Sequence, residues 1–282
     1  MRNYRHIEVR PIAGALGAEI VGVDMAKELG DEVVAEVRHA FLQHLVIFLR
    51  DQKATPVQQV AFARRFGEPI EYPQLRGLPE SPMITPVVKI EHERNNFGGI
   101  WHSDTTYLDV PPMGSMLLAR ELPPYGGDTM FANQYLAYDA LSDGMKKMLS
   151  GLRAVHSDIL VAGPQAGKNK GRSTKHRDGP DWRETRTTHP VVRTHPETGR
   201  KMLFVNKSYT VGFEGMTEAE SRPLLDFLFE HGNRPEFTFR FRWQKGSIAF
   251  WDNRSTKHIA LGDTGPFRRL LRRVQISGDK PV

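Results

Sequence analysis

Apolar positions recur along this chain in two rhythms. Between Asp31 and Leu45 they fall at Val33, Val34, Val37, Phe41 and Leu45, the spacing of one helical face. A second helix is predicted from Thr55-Pro56 to about Phe66, with Thr55 as N-cap, proline in the first turn and Gln58 placed to complete a capping box. Thr217–His231 repeats that pattern, with Glu220 three residues after the threonine. Asn133–Leu152 reads as one further helical segment. Elsewhere the period is two. Phe237–Trp243, Ser247–Trp251 and Leu270–Ser277 alternate, and short strand-like runs lie at Ile7–Val9, Ala18–Val21, Val46–Leu49 and Met83–Ile90. More follow at Ile100–Leu108, Ser115–Leu118, Thr129–Phe131, Val191–Thr194 and Met202–Val205. Many short strands with a few inserted helices predict a mainly β fold with flanking helices (α+β), a jelly roll or barrel. The polar, basic, glycine-bearing stretch 157–186 is long for a connection inside such a domain, and loops of that kind serve as lids.

Composition narrows the class of molecule. The 282 residues are 39% hydrophobic and 26% charged, enough apolar material for a sizeable core, which excludes a disordered or fibrous chain. Apolar runs such as Leu45–Leu49 and Gly114–Ala119 are too short to cross a bilayer, and no apolar segment follows the first residues. A cytoplasmic protein is therefore expected. Cysteine is absent, so any metal must be held by His, Asp or Glu. The net charge of +6 is modest, and part of it sits in Lys168–Arg177 and Arg268–Arg273. No continuous basic face or nucleic-acid module accompanies those clusters, so each reads as a solvated loop or strand edge or, more sharply, as a site for an anionic small molecule.

The sharpest chemical signal is His102-Ser103-Asp104. On a strand, residues two apart share a face, so imidazole and carboxylate would project together. With a distant second histidine they would form a facial triad, which leaves open positions on Fe(II) for O2 and a bidentate partner. An isolated His-x-Asp usually means a surface pair, but here Trp101 precedes it and β-prone Thr105, Thr106 and Tyr107 follow. Of the eleven histidines, His258 is the best third ligand, in a turn just after an alternating strand; His156, His189 and His195 compete. Arg269, Leu271 and Arg273 fall on one strand face. Two arginines projecting into a barrel would be costly without anions, and a guanidinium suits a carboxylate or sulfonate. Facing water at a strand edge is the bland alternative.

Five segments carry a wider resemblance: LGAEIVGVDM, WHSDTTYLDVPP, ELPPYGGDTMFANQYLAYDAL, HPVVRTHPETGRKMLFVN and WDNRSTKHIALGDTGPFRRLLRRVQISGDKP. In this order and spacing the chain resembles the taurine dioxygenase family, which also holds alkylsulfatases and phenoxyalkanoate herbicide dioxygenases. The resemblance implies one domain over residues 1–282, a cupin-like double-stranded β-helix, and Fe(II), 2-oxoglutarate and O2 as cofactor and co-substrates. It implies a small organic anion as substrate, no nucleic-acid or membrane partner, and a homo-oligomer. His102, Asp104 and His258 match its metal ligands, and Thr129 and Arg269 the positions that hold the distal carboxylate of 2-oxoglutarate. Arg273 matches the substrate-anion arginine and Tyr209 a pocket aromatic. Tyr72 stands where relatives that act on taurine or alkyl sulfates carry a histidine, and Gly98 where taurine enzymes carry an asparagine, which argues against taurine itself and leaves a sulfonate, alkyl sulfate or aryloxyalkanoate. Two rivals remain. A halogenating relative would carry a small residue in place of Asp104, and a basic binding protein of the same fold would have no need of the ligand set.

Overall fold

In the computed structural model, which describes residues 4–73, 75–93, 96–163, 166 and 182–282, period-two alternation divides each central strand between two cores. The large sheet is built from β1 (Glu8–Pro11), β2 (Ala18–Val21), β3 (Val46–Leu49), β4 (Pro69–Ile70), β5 (Thr85–Lys89), β6 (Gly114–Glu121), β14 (Ile248–Asp252) and β16 (Arg269–Ile276). Its order is β1-β2-β3-β14-β6-β16-β4, with β5 also on β16. Pairing is antiparallel except between β2 and β3. Ile47, Leu49, Met116, Leu118, Ile248, Phe250, Val274 and Ile276 point to one side. There helices α1 (Asp31–His44) and α2 (Pro56–Arg64) cover them, and Phe41 stacks on Phe250 at 4.2 Å. The intervening Val46, Phe48, Leu117, Ala119, Ala249, Trp251 and Leu271 face the second core. Burying a side chain of this size contributes about 1.5–3 kcal/mol, so both faces of these strands favour the same register.

Opposite that inner face lies β7 (Thr129–Asn133), flanked by β13 (Thr238–Phe241) and β15 (Thr256–Ala260). Phe48 of β3 stacks on Phe241 of β13 at 3.9 Å, joining the two sheets into a jelly roll. Beside it run β9 (Arg186–Pro190), β8 (Arg153–Ser157) and β12 (Thr210–Phe213), and the hairpin β10 (Val192–Thr194) with β11 (Lys201–Leu203). Helices α3 (Gln134–Asp139), α4 (Asp143–Leu149), α5 (Ile159–Ala162) and α6 (Glu218–His231) complete the chain. Both expected capping boxes form, at Thr55/Gln58 and Thr217/Glu220. Among the described residues no helix is long and apolar enough to cross a membrane.

Three local expectations are corrected. The helix expected over Asn133–Leu152 is two helices, because Ser142 turns out of the first and caps the second by accepting from the Met145 amide. Ile100–Leu108 is not a strand: a single bridge at His102 is followed by turns, and Thr105 has φ 46. His258 lies within β15 rather than in a turn. The centre of the expected lid, 164–165 and 167–181, and the basic cluster Lys168–Arg177 lie outside the described residues.

Candidate active site

The two histidines arrive as a pair. His102 donates its amide to the His258 carbonyl at 3.0 Å and His258 returns the bond at 2.7 Å, so opposed backbones set the imidazoles side by side, centroids 4.1 Å apart. His258 faces inward from β15 and packs on Trp251 at 4.6 Å. Asp104 joins them without a strand. Its amide donates to Asn253 Oδ1 at 2.6 Å, while Asn253 Nδ2 donates to the Asp104 and Pro112 carbonyls, both at 3.1 Å. Ser103 secures the same stretch by donating to the Thr256 carbonyl at 2.7 Å. Side-chain and carbonyl partners thus replace the missing ladder. Asp104 Oδ1 then lies 3.7 Å from His102 Nε2 and 3.9 Å from His258 Nε2. All three residues are buried, with one ligand atom of each within 4.8 Å of the others.

Charge is arranged as a divalent cation needs it. Burial lowers both imidazoles from their ordinary value, His258 to about 3, so they stay neutral with a lone pair free. A carbonyl can only accept, so the 2.7 Å contact to the Ile100 oxygen fixes the proton on His102 Nδ1 and leaves Nε2 facing the cluster. Burial raises the Asp104 pKa, but Arg273, the two histidines and the Ser115 hydroxyl outweigh it and hold the group at about 2. Ser115 donates to Oδ2 at 2.8 Å. Two neutral nitrogens and one anionic oxygen, gathered within 4.8 Å of one another, fit Fe(II).

Two of the three arginines of β16, Arg269 and Arg273, are buried, which settles the strand-edge alternative against them. Arg269 is 7% exposed, and its Nε has no partner among the described residues. Its stem lies against Gly127, where an added Cβ would sit 3.2 Å from Nε. Trp243, with its ring 5.9 Å from the guanidinium, donates its indole N–H to Thr129 Oγ1 at 3.0 Å. Burial lowers Arg269 to about 10, which leaves it cationic at neutral pH with no paired carboxylate among the described residues. That is a cradle for one end of an anion such as 2-oxoglutarate. Arg273 is 3% exposed; Nη1 reaches Asp104 Oδ1 at 3.3 Å, and Nε and Nη2 have no partner among the described residues. Its guanidinium lies over Tyr72 at 4.1 Å and Phe97 at 5.6 Å. Tyr209 lies edge-on to His102 at 6.3 Å. Gly98 lies beside the same imidazole, where a Cβ would make an ordinary contact 3.4 Å from Cε1, and its φ of +77 is a conformation that favours glycine.

His102, Asp104, His258, Arg273, Tyr72, Tyr209 and Gly98 lie about one cluster, and Arg269 and Thr129 meet at Trp243 from the start of β16 and of β7. The competing histidines do not join the cluster: His156 bonds Thr106, His189 the Leu108 carbonyl, and His195 Asp252. Sequence reasoning missed Asn253, Ser115, Trp243 and Gly127. Asn253 and Gly127 sit inside WDNRSTKHIA and YGGDT, but only the fold shows what they hold.

Comparison with known proteins agrees with this geometry. An alpha-ketoglutarate-dependent sulfate ester dioxygenase of Pseudomonas putida is 34% identical over 98% of this chain and 91% of its own length. An alkylsulfatase of Acinetobacter baylyi is 32% identical over 98% of this chain and 86% of its own. Among solved structures, a taurine dioxygenase from Burkholderia xenovorans superposes with a TM-score of 0.83 and 39% identity, covering 99% of this chain and 93% of that one. The family model described as "Taurine catabolism dioxygenase TauD, TfdA family" matches residues 8–275, nearly the whole length, and the chain belongs to that family.

Proposed function

We propose that this 2-oxoglutarate-dependent non-haem iron dioxygenase hydroxylates a small organic anion of sulfonate, alkyl sulfate or aryloxyalkanoate type. The observation that carries the reading is a pair of buried guanidiniums on one face of β16, Arg269 and Arg273, with the His102–Asp104–His258 cluster beside the second. Four residues of strand separate them by about 13 Å, room for two different anions. In this reading the triad holds Fe(II), Arg269 and Thr129 hold the far carboxylate of 2-oxoglutarate, and Arg273 holds the substrate anion. When bound, iron and 2-oxoglutarate supply the oxidising power that places one oxygen atom of O2 on a substrate C–H, with release of succinate and CO2.

The protein's own residues position and exclude. Tyr72, Phe97 and Tyr209 form an apolar wall that dries the Arg273 guanidinium and strengthens its hold on an anion. Gly98 keeps the edge of His102 open. Where the hydroxylated carbon bears a sulfate, sulfonate or aryloxy group, collapse to a carbonyl breaks the C–heteroatom bond without further help. The alkylsulfatase and the sulfate ester dioxygenase among the relatives support such a substrate. Taurine fits poorly, because the aromatic wall offers its ammonium no carboxylate, and burying an unpaired ammonium costs several kcal/mol. The test is succinate formation over alkyl sulfates, alkanesulfonates, phenoxyalkanoates and taurine. Turnover should be fastest with one of the first three. Taurine as the best substrate would overturn the assignment of Tyr72 and Gly98, and no turnover with any anion would overturn the substrate class.

A further inference from the structure

Tyr107 is 1% exposed, and its hydroxyl has no hydrogen-bond partner among the described residues. It lies in the turn that follows Asp104, closed by the Leu108 amide donating to the Thr105 carbonyl at 3.0 Å. Its ring packs on Tyr209 at 5.2 Å, and Tyr209 is the aromatic that stands edge-on to His102. Burial is the main cause of the raised Tyr107 pKa, and Tyr72, Asp158, Arg273 and Asp104 act on the phenol with smaller, opposing effects. A phenylalanine would fill the same space without leaving a hydroxyl unmatched, and an unmatched buried hydroxyl is destabilising until a ligand meets it.

Three buried donors are unpartnered among the described residues: Arg273 Nε and Nη2, whose guanidinium lies over Tyr72, and the Tyr107 hydroxyl, whose ring packs on Tyr209. A carboxylate offers two oxygens in a plane, which the two guanidinium nitrogens satisfy in a fork. A sulfate ester or sulfonate offers three oxygens in a tripod, one more than the fork can meet. We propose that Tyr107 is a specificity-determining residue, whose hydroxyl donates to the third oxygen of a sulfur oxyanion held by Arg273. This rests on reading Arg273 as the substrate-anion contact, and it names which anions the site prefers. Tyr72 does not fill the role as freely, because it is coupled by hydrogen bonding to Arg273 and Tyr209.

The experiment is Tyr107→Phe in the full chain, loaded with Fe(II) and 2-oxoglutarate. Specificity constants are compared for hexyl sulfate, hexanesulfonate and hexanoate, with the 2-oxoglutarate KM and the melting temperature of the unliganded protein read alongside. The wild type should prefer the sulfur oxyanions. The variant should lose about tenfold on both, mostly through KM, and less than twofold on hexanoate, the loss of one hydrogen bond to a charged group. The 2-oxoglutarate KM should hold, and the unliganded melting temperature should hold or rise. A purely structural tyrosine would instead lower the melting temperature and reduce all three substrates together. Equal losses on the three anions, no loss, or a wild type that prefers hexanoate each overturn the proposal. Arg273→Ala separates the two readings: if it leaves the KM for every anion unchanged, the anion site itself is misplaced; if it weakens all three while Tyr107→Phe changes nothing, only the role of Tyr107 falls.

Discussion

Asp104 stays ionised at 1% exposure because Arg273, two imidazoles and the Ser115 hydroxyl surround it. Replacing it with alanine removes both a ligand oxygen and the charge that offsets the Arg273 guanidinium. Asp104→Ala should therefore lower Fe(II)-dependent succinate formation by more than about a hundredfold, beyond the ten- to hundredfold usual for outer partners of metal ligands. Near-wild-type turnover in that variant would exclude it from the ligand set. Arg269 is read the same way at the other end of β16. A charge-assisted bond contributes about 1.5–3 kcal/mol, so Arg269→Ala should raise the 2-oxoglutarate KM roughly ten- to a hundredfold while the substrate KM moves little. Unaltered 2-oxoglutarate affinity would point to another cation. These residues were legible in sequence because each carries a chemistry that is costly to bury: His, Asp and Arg on β-prone sequence demand partners. Asn253 and Ser115 were not legible, since their residue types are ordinary and their meaning lies wholly in whom they touch.

Elements were legible where a cap or a clean period marks them. Thr55 and Thr217 start their helices as the capping boxes require, and β14 and β16 follow their alternation. They were illegible where side chains do the work of a ladder. Ile100–Leu108 has strand composition, yet its polar backbone is satisfied in part by Asn253 and by the His258 bridge, so it runs as turns. His102 and Asp104 therefore share no strand face, although they lie two residues apart. His102 and Asp104 converge because one is bridged to β15 and the other is tied to the β14–β15 turn. That makes Asn253 a positioning residue with a measurable consequence. Asn253→Ala frees the Asp104 amide and two carbonyls, and should weaken Fe(II) binding by about ten- to a hundredfold in a titration of the purified protein. Arg269 lies on another strand, so if it holds 2-oxoglutarate as proposed, binding of that co-substrate should change less. Equal weakening of both would show general loosening of the fold rather than loss of one anchor.

At the scale of the whole molecule, histidines are buried neutral on both sides of the jelly roll. His156 and His189 lie 5.2 Å apart between β8 and β9, away from the metal cluster. Burial and the neighbouring His189 lower the His156 pKa well below its ordinary value, and burial lowers His189 to about 4. Thr106 bonds His156, the Leu108 carbonyl bonds His189, and Arg193 and Asp109 exert opposing fields on His189. An unfolded histidine titrates near 6.5, so between pH 6.5 and 4 the unfolded chain binds protons that the folded chain does not. Stability therefore rises with pH across that window and is lost as pH falls through it, by at most about 1.4 kcal/mol per pH unit for each imidazole. Asp252, held low by Arg254 and His195 against the effect of burial, adds a separate loss only below the ordinary carboxylate range. In chelator, so that no metal competes with protons for the ligand atoms, the denaturant midpoint should fall steadily from pH 7 to 4.5. His189→Asn, which cannot titrate, should flatten that slope even if it lowers stability at pH 7. A slope unchanged by the substitution would mean that His189 takes up its proton equally in the folded and unfolded chain, and that the acid sensitivity comes from the other histidines whose pKa is lowered, His44, His102, His156 and His258.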